Sequence, residues 1–316
     1  MTSTDLFSVD DAAAAVLESR GAGPVLIYAL DGFVDAGIVA GLAVNDFVVH
    51  GGAQRVVTFD SDQLVDYRSR RPPMLIGDSG WDGITLPDIG IDVVRDSAGV
   101  AFLLLYGPEP DLKWDRFADA ICQIAERFHI TRAIGMHGVP MAVPHTRPLQ
   151  ATVPVARARA GREIGEIGPK LQVPGSAQAL IEHRLAQAGL DSMTLAVHVP
   201  HYLAALPFAA GSVELLGRIG EVADLDFDLS RLARGAERTG WEIARQMERS
   251  EDLAGLVREL EQRYDDAEGG GWPRPAGGPA DLTTALPTVL PSADELAAEL
   301  EDFLASQGTG PETGEA

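Results

Sequence analysis

The chain has 316 residues, 46% of them hydrophobic, enough for one large α/β domain with a sizeable core and a smaller appendage. A net charge of −22 excludes a nucleic-acid binder, which needs a basic face against phosphate, and docking on an anionic membrane surface. The charge is uneven: residues 221–316 hold 22 Asp and Glu against 8 Arg and no Lys, a balance that serves solubility or a basic partner.

The single cysteine, Cys122, allows no internal disulfide and no multi-cysteine metal site. It lies in an amphipathic helical stretch without an electropositive neighbourhood, so it reads as a core thiol rather than a nucleophile. Met1–Asp5 lacks a basic region and an apolar run, so no signal peptide is expected. No segment approaches the roughly 18 uninterrupted apolar residues of a membrane span. The expected location is the cytoplasm.

Val25–Leu30 reads as a buried strand, a short apolar run ended by Asp31-Gly32. Ala36–Val49 follows as a helix with Asp35 placed to cap it. Arg55–Asp60 is a second strand. The stretch after it is loop-rich, with Trp81 expected to anchor it. Ile91–Arg95 and Ala101–Tyr106 form a strand pair around the turn Asp96–Gly99. Trp114–Phe128 is a helix, Thr131–Met136 a strand, Ser176–Ala188 a helix, Met193–Val199 a strand and Ser212–Val222 a helix.

Strands that are apolar throughout, alternating with helices, imply an α/β fold: a mixed, mostly parallel sheet sandwiched by helices, with at least one antiparallel hairpin. This domain is expected over residues 1–228. A helical appendage follows over 229–266, with Leu253, Leu256, Val257, Leu260 and Tyr264 on one face. Residues 267–291 read as a Gly/Pro linker, and 292–316 as a short helix capped by Ser292 and a disordered tail.

In such sheets ligand sites form in loops at the carboxyl ends of strands. Here those loops are Asp31–Gly37, Gly107–Asp111, Met136–His145 and Pro200–Tyr202. The first holds Asp31, Gly32, Asp35 and Gly37. It could seat a phosphate at a helix start, but it is not G-x-G-x-x-G, it lacks the P-loop Lys, and its two aspartates repel phosphate. The alternative is a structural turn with a capped helix. His137 and His145 lie in one Gly/Pro-rich loop region, and His198 and His201, with Tyr202, at another strand end. Four imidazoles at one sheet edge are suited to metal binding or acid–base work. They fit no H-E-x-x-H pattern, and no serine sits in G-x-S-x-G. The other reading is that they brace loop backbone.

Pro24–Gly37, with Gly32, Ala36 and Gly37 matching, resembles the opening of the proteasome assembly chaperone 2 family. Ile134–Pro140 and Pro144–Pro148 are similar to the middle block of its actinobacterial branch, and Pro200-His201-Tyr202 to a later block. The resemblance covers residues 20–250. It implies a phosphorylase/hydrolase-like α/β sandwich, no established enzymatic activity, and self-association or partner binding. Some relatives dock on proteasome rings through a terminal hydrophobic-Tyr-any-residue tail. This chain ends Glu312-Thr313-Gly314-Glu315-Ala316, so docking by that route is not expected.

The expectation is a non-enzymatic protein-binding or assembly module needing no cofactor and no metal. The alternative is a small-molecule or peptide hydrolase using the His-bearing loops. A homo-oligomer is expected, a trimer first and a dimer next. Besides the resemblance, the reason is that the stripe from Leu253 to Tyr264 must be covered by its own domain or by a neighbour.

Overall fold

The computed structural model describes residues 6–18, 23–152 and 173–268. Strand β1 (Phe7–Val9) and helix α1 (Asp11–Glu18) precede β2 (Val25–Asp31), a 3-10 turn (Ala36–Ile38) and α2 (Val39–His50). Next come β3 (Gln54–Phe59), the one-turn α3 (Ser61–Leu64), β4 (Met74–Gly77), β5 (Gly80–Ile84), β6 (Gly90–Arg95) and β7 (Ala101–Pro108). Helix α4 (Trp114–Arg127), β8 (Arg132–Met141), β9 (Ala151–Thr152), α5 (Ala177–Gln187) and β10 (Asp191–Pro200) follow. A second 3-10 turn (His201–Leu203) leads to α6 (Ala209–Ala223), α7 (Ser230–Arg249) and α8 (Glu251–Glu268).

Eight strands form one mixed sheet in the order β1-β3-β6-β7-β2-β8-β10-β9. Its centre, β7-β2-β8-β10, is parallel. The flanks are antiparallel, including the expected β6–β7 hairpin. The period of two divides each central strand between the layers. Leu26 and Tyr28 face a core with Phe117, Ile121 and Ile181 of α4 and α5, whereas Ile27 and Ala29 face Val39, Phe47 and Leu215 of α2 and α6. Both faces are covered, which is why these strands read as unbroken apolar runs.

The helix expected from Ala36 begins at Val39. Gly37 and Ile38 take left-handed backbone angles, with φ of 71° and 53°, and break the chain into a 3-10 turn and α2. Cys122 is half-buried, and burial raises its thiol above the ordinary value, with Asp119 adding to the effect. A thiol held in that state is a poor nucleophile.

Trp81 does not anchor its stretch. Residues 74–84 form a separate two-stranded sheet, β4–β5, in which Trp81 is 68% exposed. A hairpin with no layer behind it has no buried face to offer an indole.

Past the sheet, α7 sends Leu232 and Ile243 into the α2–α6 layer, and its Arg231 forks onto Asp46 of α2 at 2.8 and 3.0 Å. On α8, Val257, Leu260 and Tyr264 are buried, and Tyr264 Oη donates to the Pro148 carbonyl. The chain therefore covers this stripe itself, and the stripe supplies no argument for a neighbour. The described residues up to Asp265 belong to one compact unit. The linker from Gly269 and the helix expected after Ser292 lie outside the described residues. No described helix is long and apolar enough to cross a membrane.

Candidate functional site

The chain leaves β2 for α2 on one face of the sheet, while α5, the next described helix after β8 and β9, packs on the other. Two adjacent parallel strands whose connections diverge open a crevice at their carboxyl ends. Here that crevice has two chambers. One of about 470 Å³ lies on the α2 side, lined by Asp31, Phe33, Ile38, Tyr106 and His137 among others. The other, about 320 Å³, lies on the α5 side and shares Leu30, Phe33, Val34 and His137 with the first.

Asp35 lines the α2-side chamber. Its Oδ1 accepts the amides of Ala40, at 3.0 Å, and Gly138, at 2.9 Å, and its Oδ2 accepts that of Gly41, at 3.0 Å. The expected cap is real, though it acts on the first turn of α2 after the 3-10 turn. It also occupies the amides that a phosphate at this helix start would need. Gly37 is fixed from the other side: its amide donates to Ala204 and its carbonyl accepts from Phe208, both at 2.8 Å. Gly32 passes so close to Glu109 that a Cβ there would come within 2.7 Å of that side chain. Asp31 contributes its carbonyl, which accepts from the Glu109 amide and the Arg70 guanidinium.

The four histidines separate. His137 stands at the crevice, its Nδ1 3.4 Å from the Gln178 amide nitrogen. Burial holds its imidazole below the ordinary value, while Asp35 pulls the other way. His145 Nδ1 is 2.7 Å from Tyr202 Oη, which also accepts the His145 backbone amide. His201 is exposed and packs edge-on against the same Tyr202. His198 is buried, its Nε2 2.6 Å from Thr152 Oγ1. Burial lowers His145 and His198 and raises Tyr202. Tyr202 thus gathers His145 and His201, whereas His137 and His198 have other partners. Among the described residues no three His, Cys, Asp or Glu side chains are arranged to hold a metal ion.

Several crevice residues escaped sequence reasoning. Gln178, buried on α5, accepts the Leu30 amide and donates to the Met136 carbonyl, bridging the end of β2 and the middle of β8. Glu109 accepts the Ala177 amide at the start of α5. Thr194 of β10 donates to the Glu182 carboxylate. Glu109 could have been found, because its loop was already placed at a strand end. Gln178 and Glu182 look like ordinary polar positions of an amphipathic helix.

Fold and site together define an α/β domain, covered on both faces, with a two-chambered crevice at its switch point. Residues 29–247 match the PAC2 family model, and the chain belongs to the PAC2 family. It is similar to a Mycobacterium tuberculosis protein of unknown function, Rv2714, at 37% identity over 85% of this chain and 92% of that one, with a TM-score of 0.77. A Corynebacterium glutamicum protein of unknown function is 34% identical over 82% of this chain and 97% of that one, with a TM-score of 0.75. The Mycobacterium tuberculosis proteasome-assembly chaperone homologue Rv2125 is 25% identical over 74% and 99%, with a TM-score of 0.66. Among curated proteins there was no match.

Proposed function

We propose that the chain is a non-enzymatic assembly module that acts as a homo-oligomer, a trimer first and a dimer next, in the cytoplasm. The observation that carries this reading is the β4–β5 hairpin. Ile76 is 73% exposed and Trp81 68%, and Met74, Leu75, Ile84 and Leu86 are exposed with them. A lone two-stranded hairpin is marginal in water, and its unpaired edges and exposed apolar side chains favour a protein partner.

A second copy of the chain suits this surface. Arg68 and Arg71 are exposed just before the hairpin, and Asp78 and Asp82 are exposed within it. In a chain of net charge −22, a basic patch beside an acidic one is self-complementary. A hairpin resting on a different surface of the next copy closes a ring of three; a hairpin meeting its equivalent gives a dimer. Membership of the PAC2 family and likeness to a proteasome-assembly chaperone homologue support an assembly role.

The test is light scattering on the full chain and on an Ile76→Asp/Trp81→Asp variant. Wild type is expected at three times the 33.5 kDa chain mass, and the variant at one chain mass with unchanged circular dichroism. A wild type at one chain mass at micromolar concentration contradicts the proposal.

A further inference from the structure

The chamber on the α5 side has a chemistry that self-association does not use. Its wall is largely apolar, with Phe33, Val34, Val139 and Ala179, and Phe33 is itself half-exposed, so the chamber opens to solvent. Two carboxylates line it, Glu109 and Glu182, and no Lys or Arg is among its described lining residues. Glu109 is committed to the Ala177 amide, where its charge meets the positive end of α5.

Glu182 has no such compensation. Its partner is the neutral hydroxyl of Thr194, and no described cation pairs with it. Beside it lies Tyr28, fully buried with its hydroxyl close to Ser192 and Thr194, and burial first and then the charge on Glu182 oppose ionisation of that phenol. Burial raises the Glu182 carboxyl above the usual carboxylate range. A carboxylate withdrawn from water without a cation is costly, and a ligand that brings the cation removes that cost. An apolar chamber of this size with a few convergent polar groups has the form of a small-molecule site.

We propose that the α5-side chamber binds a primary ammonium ion carried on an apolar body, the ammonium on Glu182 and the body against Phe33, Val34 and Val139. Anionic ligands are rejected by Glu109 and Glu182 together. The site stands whether the chain is a trimer or a monomer, because its lining residues all come from one copy.

Isothermal titration calorimetry on the full chain tests this with hexylammonium and 2-phenylethylammonium, against 1-hexanol as the neutral match and hexanoate as the anionic one. Both ammonium ions are expected to bind, 1-hexanol at least about tenfold more weakly, since it lacks the charge-assisted hydrogen bond. Hexanoate is expected not to bind. In Glu182→Gln, which keeps the side-chain shape, the ammonium and the alcohol are expected to bind alike. Thr194→Val keeps the carboxylate and retains the ammonium preference. Equal binding of hexylammonium and 1-hexanol to wild type, an undiminished preference in Glu182→Gln, or no binding of either ammonium ion overturns the proposal.

Discussion

The Asp35 carboxylate holds the Gly138 amide at 2.9 Å across 103 positions of sequence, while binding the first turn of α2 through Ala40 and Gly41. One side chain thereby fixes the start of a helix to the end of a neighbouring strand. Asp35→Ala leaves three amides without their acceptor, and that of the buried Gly138 is the costliest. The expected loss is about 2–3 kcal/mol, a helix cap plus an unsatisfied amide. Urea unfolding measures it, and an unchanged midpoint would show that water replaces the carboxylate freely.

Two glycines make an opposed pair. Gly37 sits at φ 71°, and a Cβ there would lie 2.9 Å from Phe208 Cβ. Gly37→Ala is expected to destabilise by at least about 1–2 kcal/mol from the left-handed backbone alone. Gly240 is exposed inside α7 with open space where a Cβ would go. Gly240→Ala is expected to stabilise by about 0.5–1 kcal/mol. Thermal unfolding of the two variants, shifting in opposite directions, checks both.

Tyr202 ties down the loop that follows β8 by accepting the His145 amide and meeting its ring nitrogen. Tyr202→Phe is expected to cost about 1–2 kcal/mol and to speed hydrogen exchange at the His145 amide, which loses its acceptor. Exchange at wild-type rate there would contradict this placement.

Stability should fall on mild acidification. Burial lowers His137, His145 and His198 in the folded chain. The unfolded chain, with imidazoles near about 6.5, therefore takes up protons that the folded chain refuses. As the pH drops below that value stability declines, and the decline ends only below the folded-state values. Glu182 works in the opposite sense, because its raised carboxyl binds a proton first in the folded chain. Asp265, lowered by the Arg147 guanidinium, loses its contribution only in more acidic solution, below about pH 4. Urea midpoints between about pH 7.5 and 5.5 are expected to slope downward, less steeply in His198→Asn. A flat profile in wild type contradicts the burial of these rings.

How legible was this architecture? The central strands were, because burial on both faces leaves runs such as Leu26–Leu30 without polar interruption. Of the four loops expected at strand ends, Asp31–Gly37 and the start of Gly107–Asp111 do line the crevice, whereas Met136–Met141 is a continuation of strand β8, its Gly and Pro being accommodated within the strand, and Pro200–Tyr202 lines neither chamber. The histidines misled: four imidazoles near one sheet edge suggest convergence, but His137 and His198 share a face only at staggered register, with His137 opposite Ala196, and each finds a nearer partner. His137 turns to the crevice, and His198 turns to Thr152. The β4–β5 hairpin was invisible because it has no alternating buried face; its apolar residues are exposed on both sides. Glu182 was hidden for the converse reason, since a polar residue on an amphipathic helix signals solvent and not a chamber.

The central claim, that another copy of the chain covers the hairpin, is tested most directly by hydroxyl-radical footprinting of Trp81 and Trp241, the two exposed indoles among the described residues, at increasing protein concentration. Trp81 on β5 is 68% exposed in the single chain and Trp241 on α7 is 74% exposed, so each controls for the other. The account predicts that oxidation of Trp81 falls severalfold relative to Trp241 as the oligomer forms, and that the protection vanishes in Ile76→Asp. Oxidation of both indoles in constant ratio, at concentrations where light scattering reports an oligomer, would place the interface elsewhere and contradict the account.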